Sequence, residues 1–201
     1  KAVILESKLA GFYLTGGTAL AAFHLYHRVS DDLDFFTFEN PDVVFIRQFV
    51  GQLKNILAAR NVRYERLYDR NQFYFNLDEE EFKIEFTKYP FRPLELPKVV
   101  EELKVDSLRD ISANKLMALL ERFDPKDFVD LYYLIQSGNL ENIRKDAEEK
   151  FGVKIGGIFL GGELAKVRRI EALPKMVKPL TVGELKEFFS EEAKKLSKEI
   201  F

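Results

Sequence analysis

The chain has 201 residues, enough for one large domain or two small ones, and a hydrophobic fraction of 46% with 19 Phe supports a substantial core. Charged residues make up 32% of the chain but sum to a net charge of −2, which excludes nucleic-acid binding through overall positive charge. The chain has no cysteine, which excludes disulfides and thiolate metal sites and fits a reducing cytoplasm. We also expect no membrane span and no secretory leader.

The first half of the chain predicts a mixture of strands and helices. Residues 1–9 resemble the end of an amphipathic helix, and an apolar run from Tyr13 then predicts a strand that ends at a glycine pair. Thr18 is placed to cap a short helix, and Leu33–Phe38 predicts a second strand. A helix over 43–59 and three alternating runs follow, and the runs predict an antiparallel ribbon beside the second strand: 62–68, 72–77 and 82–86.

The second half predicts helices. Pro90, Pro93 and Pro97 mark a linker-like stretch, so we expect an α+β core at 1–95 and a C-terminal helical domain at 96–201. The apolar spacing predicts five helices: 107–123, one that starts at Pro125, 139–151, 160–173 and 181–201, the last capped by Thr181.

Two carboxylates open the second predicted strand. Asp32 and Asp34 are separated by one residue, so on a strand they project from the same face while Leu33 points into the core. Two adjacent carboxylates repel unless one stays protonated or a cation joins them. Divalent metal ions such as Mg²⁺ prefer hard oxygen ligands and leave positions open for phosphate oxygens. The pair therefore indicates a metal-assisted phosphoryl transfer, although such pairs also occur as loop or cap residues.

A glycine turn and a third acidic residue fit the same chemistry. Gly16, Gly17 and Thr18 precede a predicted helix, and backbone N–H groups at such a turn suit a phosphate. A two-metal transfer also needs a third carboxylate, and Glu85 lies on the polar face of a neighbouring predicted strand. The alternatives are a plain glycine turn and a solvated Glu85 that pairs with Lys83.

These residues resemble a known family. A glycine pair with Thr, thirteen residues and then Asp-x-Asp resembles the DNA polymerase beta-like nucleotidyltransferases, and the fuller string GGTAL…HRVSDDLDFF is similar to the AbiEii-type nucleotidyltransferase toxins. The resemblance implies a polymerase beta-like core with flanking helices. It also implies that Arg28 and Ser30 contact the triphosphate, whereas the residues alone allow a surface cation and a turn hydroxyl. We expect His24 and His27 to be structural.

A second cluster also matches that family. The family pattern K-x-x-AL-x-x-R followed by RD-x-x-DL matches here from Lys115 to Leu131, with Lys126 in place of the usual Arg. The resemblance implies that Lys115 contacts nucleotide phosphates and that Asp130, rather than Asp127, is its partner in the active site. The residues alone allow an ordinary inter-helix ion pair.

The resemblance implies a nucleotidyltransferase that uses NTP and two Mg²⁺ ions, with Mn²⁺ as the alternative. Asp32, Asp34 and Glu85 would hold the metals, and Glu85 would also be the base-side carboxylate. The implied acceptor is tRNA or another RNA, and the implied partner is an antitoxin protein. Transfer to a protein or a small molecule, or a non-catalytic binding role, stays open. Basic residues in the last helices are either an RNA surface or a solvated face: Lys166, Arg168, Arg169, Lys175 and Lys178.

Overall fold

The computed structural model describes residue 9, residues 11–78 and residues 80–197. The strands are β1 (Tyr13–Thr15), β2 (Leu33–Thr37), β3 (Asn61–Leu67), β4 (Arg70–Leu77), β5 (Glu80–Lys88), β6 (Lys98–Val100) and β7 (Leu103–Val105). The α-helices are α1 (Gly16–Ala19), α2 (Val43–Ile56), α3 (Leu108–Glu121), α4 (Pro125–Ser137), α5 (Leu140–Phe151), α6 (Gly157–Leu164) and α7 (Val182–Ser197). A π-helical segment, Leu20–Leu25, follows α1, and a 3-10 helix, Ala165–Arg169, follows α6.

The strands form one mixed sheet in the order β3-β4-β5-β2-β1-β7-β6. The pairs β5–β2 and β1–β7 are parallel, and the other neighbours are antiparallel. The predicted three-stranded ribbon is confirmed, and its third strand lies directly beside β2, which carries Asp34. Helices accompany the sheet and dominate the second half, so the predicted α+β class is confirmed.

Several local predictions were wrong. The helix after β1 begins at Gly16, so Thr18 lies inside it and is not its cap. The helix predicted over 43–59 ends at Ile56. The short strands β6 and β7 lie between the predicted linker-like stretch and the helix predicted over 107–123, where no strand was predicted.

One of the last two predicted helices also needs correction. The helix predicted over 160–173 begins at Gly157 and continues as the 3-10 helix up to Arg169. The last helix is described over Val182–Ser197, within the predicted range, and the predictions for residues 1–8 and 198–201 lie outside the described residues. The Thr181 cap is confirmed, because its hydroxyl accepts the N–H of Glu184 at 3.2 Å.

The chain divides into two compact units. The sheet unit contains the described parts of Lys1–Ala19, Ser30–Arg92 and Leu96–Ser107; the helical unit contains those of Leu20–Val29, Pro93–Glu95 and Leu108–Phe201. Each unit consists of several separate segments of the sequence, whereas the predicted boundary near residue 95 divides the chain only once. Among the described residues, none of the helices has both the length and the hydropathy of a membrane span.

Each unit has its own aromatic core. In the sheet unit, Phe35 and Phe86 are fully buried on adjacent strands and stack with ring centroids 5.4 Å apart, and Phe49 of α2 meets Phe86 edge-on. In the helical unit, Phe128 of α4 and Phe189 of α7 meet edge-on at 5.3 Å. The face of the sheet that contacts Phe49 is therefore apolar.

A buried carboxylate holds the helical unit together at the start of α3. Asp110 is fully buried and accepts the backbone N–H groups of Leu94 at 3.0 Å and Glu95 at 2.9 Å. The ammonium of Lys150, on α5, lies 2.6 Å from its carboxylate. This one side chain therefore ties α3 to α5 and to the segment Pro93–Glu95.

We expect Asp110→Ala to destabilise the protein by about 3–5 kcal/mol, because it leaves the Lys150 ammonium and two backbone N–H groups buried without their acceptor. Urea denaturation followed by circular dichroism measures the change in the free energy of unfolding. Lys145→Ala is the control on α5, since Lys145 is exposed and pairs only at the surface with Glu141; its effect should stay within about 0.5 kcal/mol. Equal effects of the two substitutions would contradict this account of Asp110.

Candidate active site

Strand pairing brings the predicted carboxylates side by side. Asp34 on β2 is the direct partner of Glu85 on the parallel strand β5 and of Thr15 on the antiparallel strand β1. Asp32 lies in the loop just before β2, and Nζ of Lys83, 3.4 Å from Oδ2 of Asp32 and 3.8 Å from Oε2 of Glu85, brings the carboxylates of Asp32 and Glu85 to the same ammonium. This polar face of the sheet is the one opposite to Phe35 and the rest of the core.

The glycine turn lies directly against one of these carboxylates. Gly16 has φ of +69°, a left-handed conformation that favours glycine, and a Cβ added to it would lie 2.5 Å from Oδ2 of Asp34. The hydroxyl of Thr18 donates a hydrogen bond to the backbone carbonyl of Asp32. The turn and the start of β2 are therefore fastened to each other, and only glycine fits at position 16.

Glu85 is buried rather than solvated. Only 4% of the residue is exposed, and both of its oxygens accept hydrogen bonds: Oε2 from Nε2 of Gln72 at 2.8 Å and Oε1 from the hydroxyl of Thr87 at 2.8 Å. The hydroxyl of Tyr74 donates in turn to Oε1 of Gln72 at 3.1 Å. The orientation of Glu85 is thus fixed by neighbours on β4 and β5, as a carboxylate with a specific task requires.

A lysine ammonium lies among the three carboxylates. Nζ of Lys83 is 3.4 Å from Oδ2 of Asp32 and 3.8 Å from Oε2 of Glu85. Burial opposes the charge of this ammonium, but the nearby carboxylates of Asp34, Asp32 and Glu85 outweigh it, so the pKa of Lys83 is raised. The polar face therefore attracts positive charge strongly.

The carboxylate oxygens at this site are of the chemical type that binds a divalent cation. Asp32, Asp34 and Glu85 offer hard carboxylate oxygens on one face, and their field already stabilises the ammonium of Lys83. Among residues 9, 11–78 and 80–197, however, no three or more His, Cys, Asp or Glu side chains are gathered tightly enough to hold a metal ion. The three-carboxylate metal set therefore stays a prediction.

The second predicted cluster lies within the helical unit, and Asp130 is its centre. Asp130 is fully buried on α4; Lys115 of α3 lies 2.6 Å from it, Nε2 of His27 contacts it at 2.7 Å, and Nε and Nη2 of Arg28 donate to its two oxygens at 2.6 and 2.8 Å. Burial opposes the charge of Asp130, but Lys115, Arg28 and His27 outweigh it, so the pKa of Asp130 is held well below its usual range.

Lys115 has two acidic partners rather than one. Its ammonium lies 2.9 Å from Asp127 as well as 2.6 Å from Asp130, and Arg122 pairs with Asp127 at 3.0 Å. Burial lowers the pKa of Lys115, but the two carboxylates outweigh this, so that pKa is raised and the side chain stays protonated. The predicted contact with Asp130 is present, Asp127 is a second partner, and the active-site role of the pair stays a prediction.

The predicted triphosphate contacts differ in their surroundings. The side chain of Arg28 is 2% exposed and its Nε and Nη2 both bind Asp130, so the donors that were assigned to phosphate already have an acceptor. Ser30 is half-buried, as are Gly16, Gly17 and Thr18. The phosphate roles of Gly16, Gly17, Thr18 and Ser30 stay predictions.

Sequence reasoning missed the residues that hold Glu85 and the histidine that contacts Asp130. Gln72 is the strand partner of Glu85, and Thr87 follows Glu85 by two residues on β5, so both side chains lie on the same face as Glu85. This strand periodicity is the signal that could have identified them. His27 was expected to be structural, and its position agrees, but its partner is 103 residues away and leaves no local signal.

Comparisons with known proteins agree with this arrangement. The chain matches the family model described as "Nucleotidyl transferase AbiEii toxin, Type IV TA system" over residues 4–199. It is 34% identical over 144 residues to the uncharacterized protein aq_aa25 of Aquifex aeolicus, a match that covers 70% of this chain and 66% of that protein, just under two thirds of its length.

Two solved structures share the fold. JHP933 from Helicobacter pylori is 18% identical, with a TM-score of 0.61 over 98% of this chain and 88% of that one. MenT4 from Mycobacterium tuberculosis, described as a nucleotidyltransferase toxin, is 16% identical, with a TM-score of 0.54 over 98% of this chain and 81% of that one. At these identities the likeness shows the fold, whereas the family match extends over nearly the whole sequence. This chain therefore belongs to the AbiEii family of nucleotidyl transferases.

Proposed function

We propose that the chain transfers a nucleoside monophosphate group from an NTP to a hydroxyl group of tRNA. The observation that carries the proposal is the strand register that sets Asp34 beside Glu85, with Gly16 against Asp34. The acceptor oxygen attacks the α-phosphorus, the bond between that phosphorus and the bridging oxygen breaks, and pyrophosphate leaves. The proton of the hydroxyl passes to Glu85, whose two oxygens are held by Gln72 and Thr87.

Asp32 and Asp34 would hold Mg²⁺, or Mn²⁺, with Glu85 as the third carboxylate of the set. When bound, the metal would neutralise the phosphate charge that builds up during transfer. Gly16, Gly17, Thr18 and Ser30 would bind the triphosphate, because a glycine turn presents backbone N–H groups to an anion. Lys83 already lies at this face and would neutralise part of its negative charge before any metal binds.

In the helical unit, Lys115 would contact the nucleotide phosphates, because two carboxylates keep its ammonium charged. We assign Arg28 and His27 to the positioning of Asp130 rather than to the phosphates, since their contacts with it are direct. An antitoxin protein that blocks the transfer, and a cytoplasmic location, complete the proposal. The antitoxin is proposed from the toxin–antitoxin description of the family, and the cytoplasmic location from the lack of cysteine.

An incorporation assay tests the proposal directly. Purified protein, Mg²⁺ and each labelled NTP in turn are incubated with total tRNA, and Asp34→Asn should lower the incorporation of label by roughly 100-fold or more, because it removes the charge that faces the metal and Glu85. Asp31→Asn is the matched control, since Asp31 is exposed in the loop before the site, and it should incorporate label as the wild type does. Label in protein rather than tRNA would contradict the acceptor, and no label in either would contradict the transfer.

We expect Gly16→Ala to inactivate the protein. The new Cβ would meet Oδ2 of Asp34 at 2.5 Å, and the left-handed backbone adds roughly 1–2 kcal/mol of strain, so both incorporation and thermal stability should fall. Gly11→Ala is the control, because nothing lies within 4 Å of its added Cβ. A Gly16→Ala protein with wild-type incorporation would show that Asp34 need not stay where the turn holds it.

The role of Lys115 is tested against that of Arg28, because both side chains supply positive charge to Asp130. Lys115→Met should lower kcat by roughly 100-fold or more, beyond what any loss of stability explains, whereas Arg28→Met should lower activity only in step with its loss of stability. Lys126→Met, at an exposed position on α4, should change neither quantity. Thermal melts that accompany the transfer assay separate the loss of catalysis from the loss of stability. Equal activity per folded molecule for Lys115→Met and Arg28→Met would contradict a phosphate contact by Lys115.

A further inference from the structure

A cleft opens on the apolar side of the sheet unit, between α2 and the outer strands β3 and β4. It encloses about 300 Å³ and is lined chiefly by Arg47, Gly51, Lys54, Val62, Tyr64 and Phe73. Tyr64 on β3 pairs with Phe73 on β4, so their side chains lie on the same face of the sheet. Gln72 is the neighbour of Phe73 on β4, so its side chain lies on the other, polar face, where it contacts Glu85. The α2–β3 cleft is therefore on the face of the sheet opposite to the candidate active site.

Two cations line this cleft without acidic partners. Arg47 and Lys54 are seven residues apart on α2, two helical turns, and so point from the same side of the helix. Among the described residues, no carboxylate lines the cleft or lies within ion-pair distance of either cation. By contrast, Arg60 and Arg63 on the neighbouring hairpin pair with Asp78 at 2.8 Å and Glu81 at 3.6 Å. The cleft therefore presents positive charge that is available to an anion.

The floor of the cleft is aromatic. The rings of Tyr64 and Phe73 lie 5.0 Å apart, and the Arg47 guanidinium is 5.5 Å from the Tyr64 ring centroid. The hydroxyl of Tyr64 donates to Asn71 at 2.9 Å, which fixes the ring while leaving 37% of the residue exposed. The guanidinium lies over the ring, and flat heterocyclic bases stack on such aromatic and guanidinium surfaces.

A glycine keeps the cleft open. Gly51 lies in the interior of α2, between Arg47 and Lys54, where glycine destabilises a helix by about 1 kcal/mol relative to alanine. Nothing lies within 4 Å of an added Cβ, so no close approach of another backbone requires glycine here. The effect of having no side chain at this position is that the space between the two cations stays free.

We propose that the α2–β3 cleft binds a nucleotide unit, with its base on Tyr64 and its phosphate between Arg47 and Lys54. The cavity is at the small end of ligand pockets, which suits one base and its phosphate rather than a larger ligand. The nucleotide unit comes either from a free mononucleotide or from a single-stranded RNA segment. The cleft extends the proposed function by adding a second nucleotide site that takes no part in the transfer itself.

Binding is measured on the Asp32→Ala/Asp34→Ala protein in EDTA, so that the candidate active site contributes little and transfer is not required. Isothermal titration calorimetry uses AMP, penta-adenylate RNA and inorganic phosphate as probes. Binding of AMP identifies a free-nucleotide site, and binding of the RNA without AMP identifies a site for a nucleotide within a strand. Phosphate that binds as tightly as AMP, or no binding of either AMP or RNA, would overturn the proposal.

Gly51→Leu fills the cleft with a good helix former, and we expect it to weaken binding at least tenfold while the melting temperature stays the same or rises. Gly162→Leu is the matched control on α6, where the space around an added Cβ is also free, and it should bind the probe as before. Arg47→Glu provides a second test if Gly51→Leu folds poorly, because it reverses the charge at the exposed rim. Undiminished binding by a folded Gly51→Leu or Arg47→Glu protein would overturn the proposal. Because the transfer assay is run separately on wild-type protein, failure of the cleft and failure of the proposed transfer are distinguishable.

Discussion

The parallel pairing of β2 with β5 is the constraint on which the rest of the sheet unit depends. It fixes Leu33 against Ile84, Asp34 against Glu85 and Phe35 against Phe86, so that apolar and acidic pairs alternate between the two faces. A shift of one residue would move the acidic pair into the core and the phenylalanines out of it, and burial of those two rings opposes such a shift. The hydrophobic core therefore holds the carboxylates together against their mutual repulsion. Gly16 and Lys83 reduce the strain of that arrangement, one by giving Asp34 room and the other by supplying positive charge.

Asp130 has a comparable role in the helical unit. A carboxylate buried without partners would be protonated at neutral pH, but Lys115, Arg28 and His27 surround this one. Since its folded-state pKa is lowered, its ionic contribution to stability is fully present above its unfolded pKa of about 3.9 and is lost only as pH falls toward the folded value. Lys115 has the opposite pH dependence, because its pKa is raised in the folded state. Its contribution to stability is complete below its unfolded-state pKa of about 10.4 and is lost as pH rises through its folded-state pKa. The ion cluster thus stays intact across the whole neutral range.

The sequence predicted those features whose causes are local. Alternation identified β3, β4 and β5, because a strand has a period of two. The strands β6 and β7 are three residues each, too short to show a period, and proline-rich flanks suggested a linker instead. The partners of Arg28 and Lys115 depend on which helices pack together. Arg28 and Asp130 are 102 residues apart, and no local pattern reports such a contact.

Burial of charged groups was the hardest feature to predict, and the reason is physical. For Glu85, the sequence left a solvated carboxylate open as the alternative to a metal-site role, whereas Gln72 and Thr87 satisfy both of its oxygens and offset the free-energy cost of its burial. For Arg28, the family resemblance implied a triphosphate contact and the residue alone allowed a surface cation, whereas its side chain is buried against Asp130. In both cases the isolated residue type favours water, and only hydrogen-bond partners from other elements reverse that preference. A polar residue near a predicted site is therefore best assigned a role only after its partners across the fold are known.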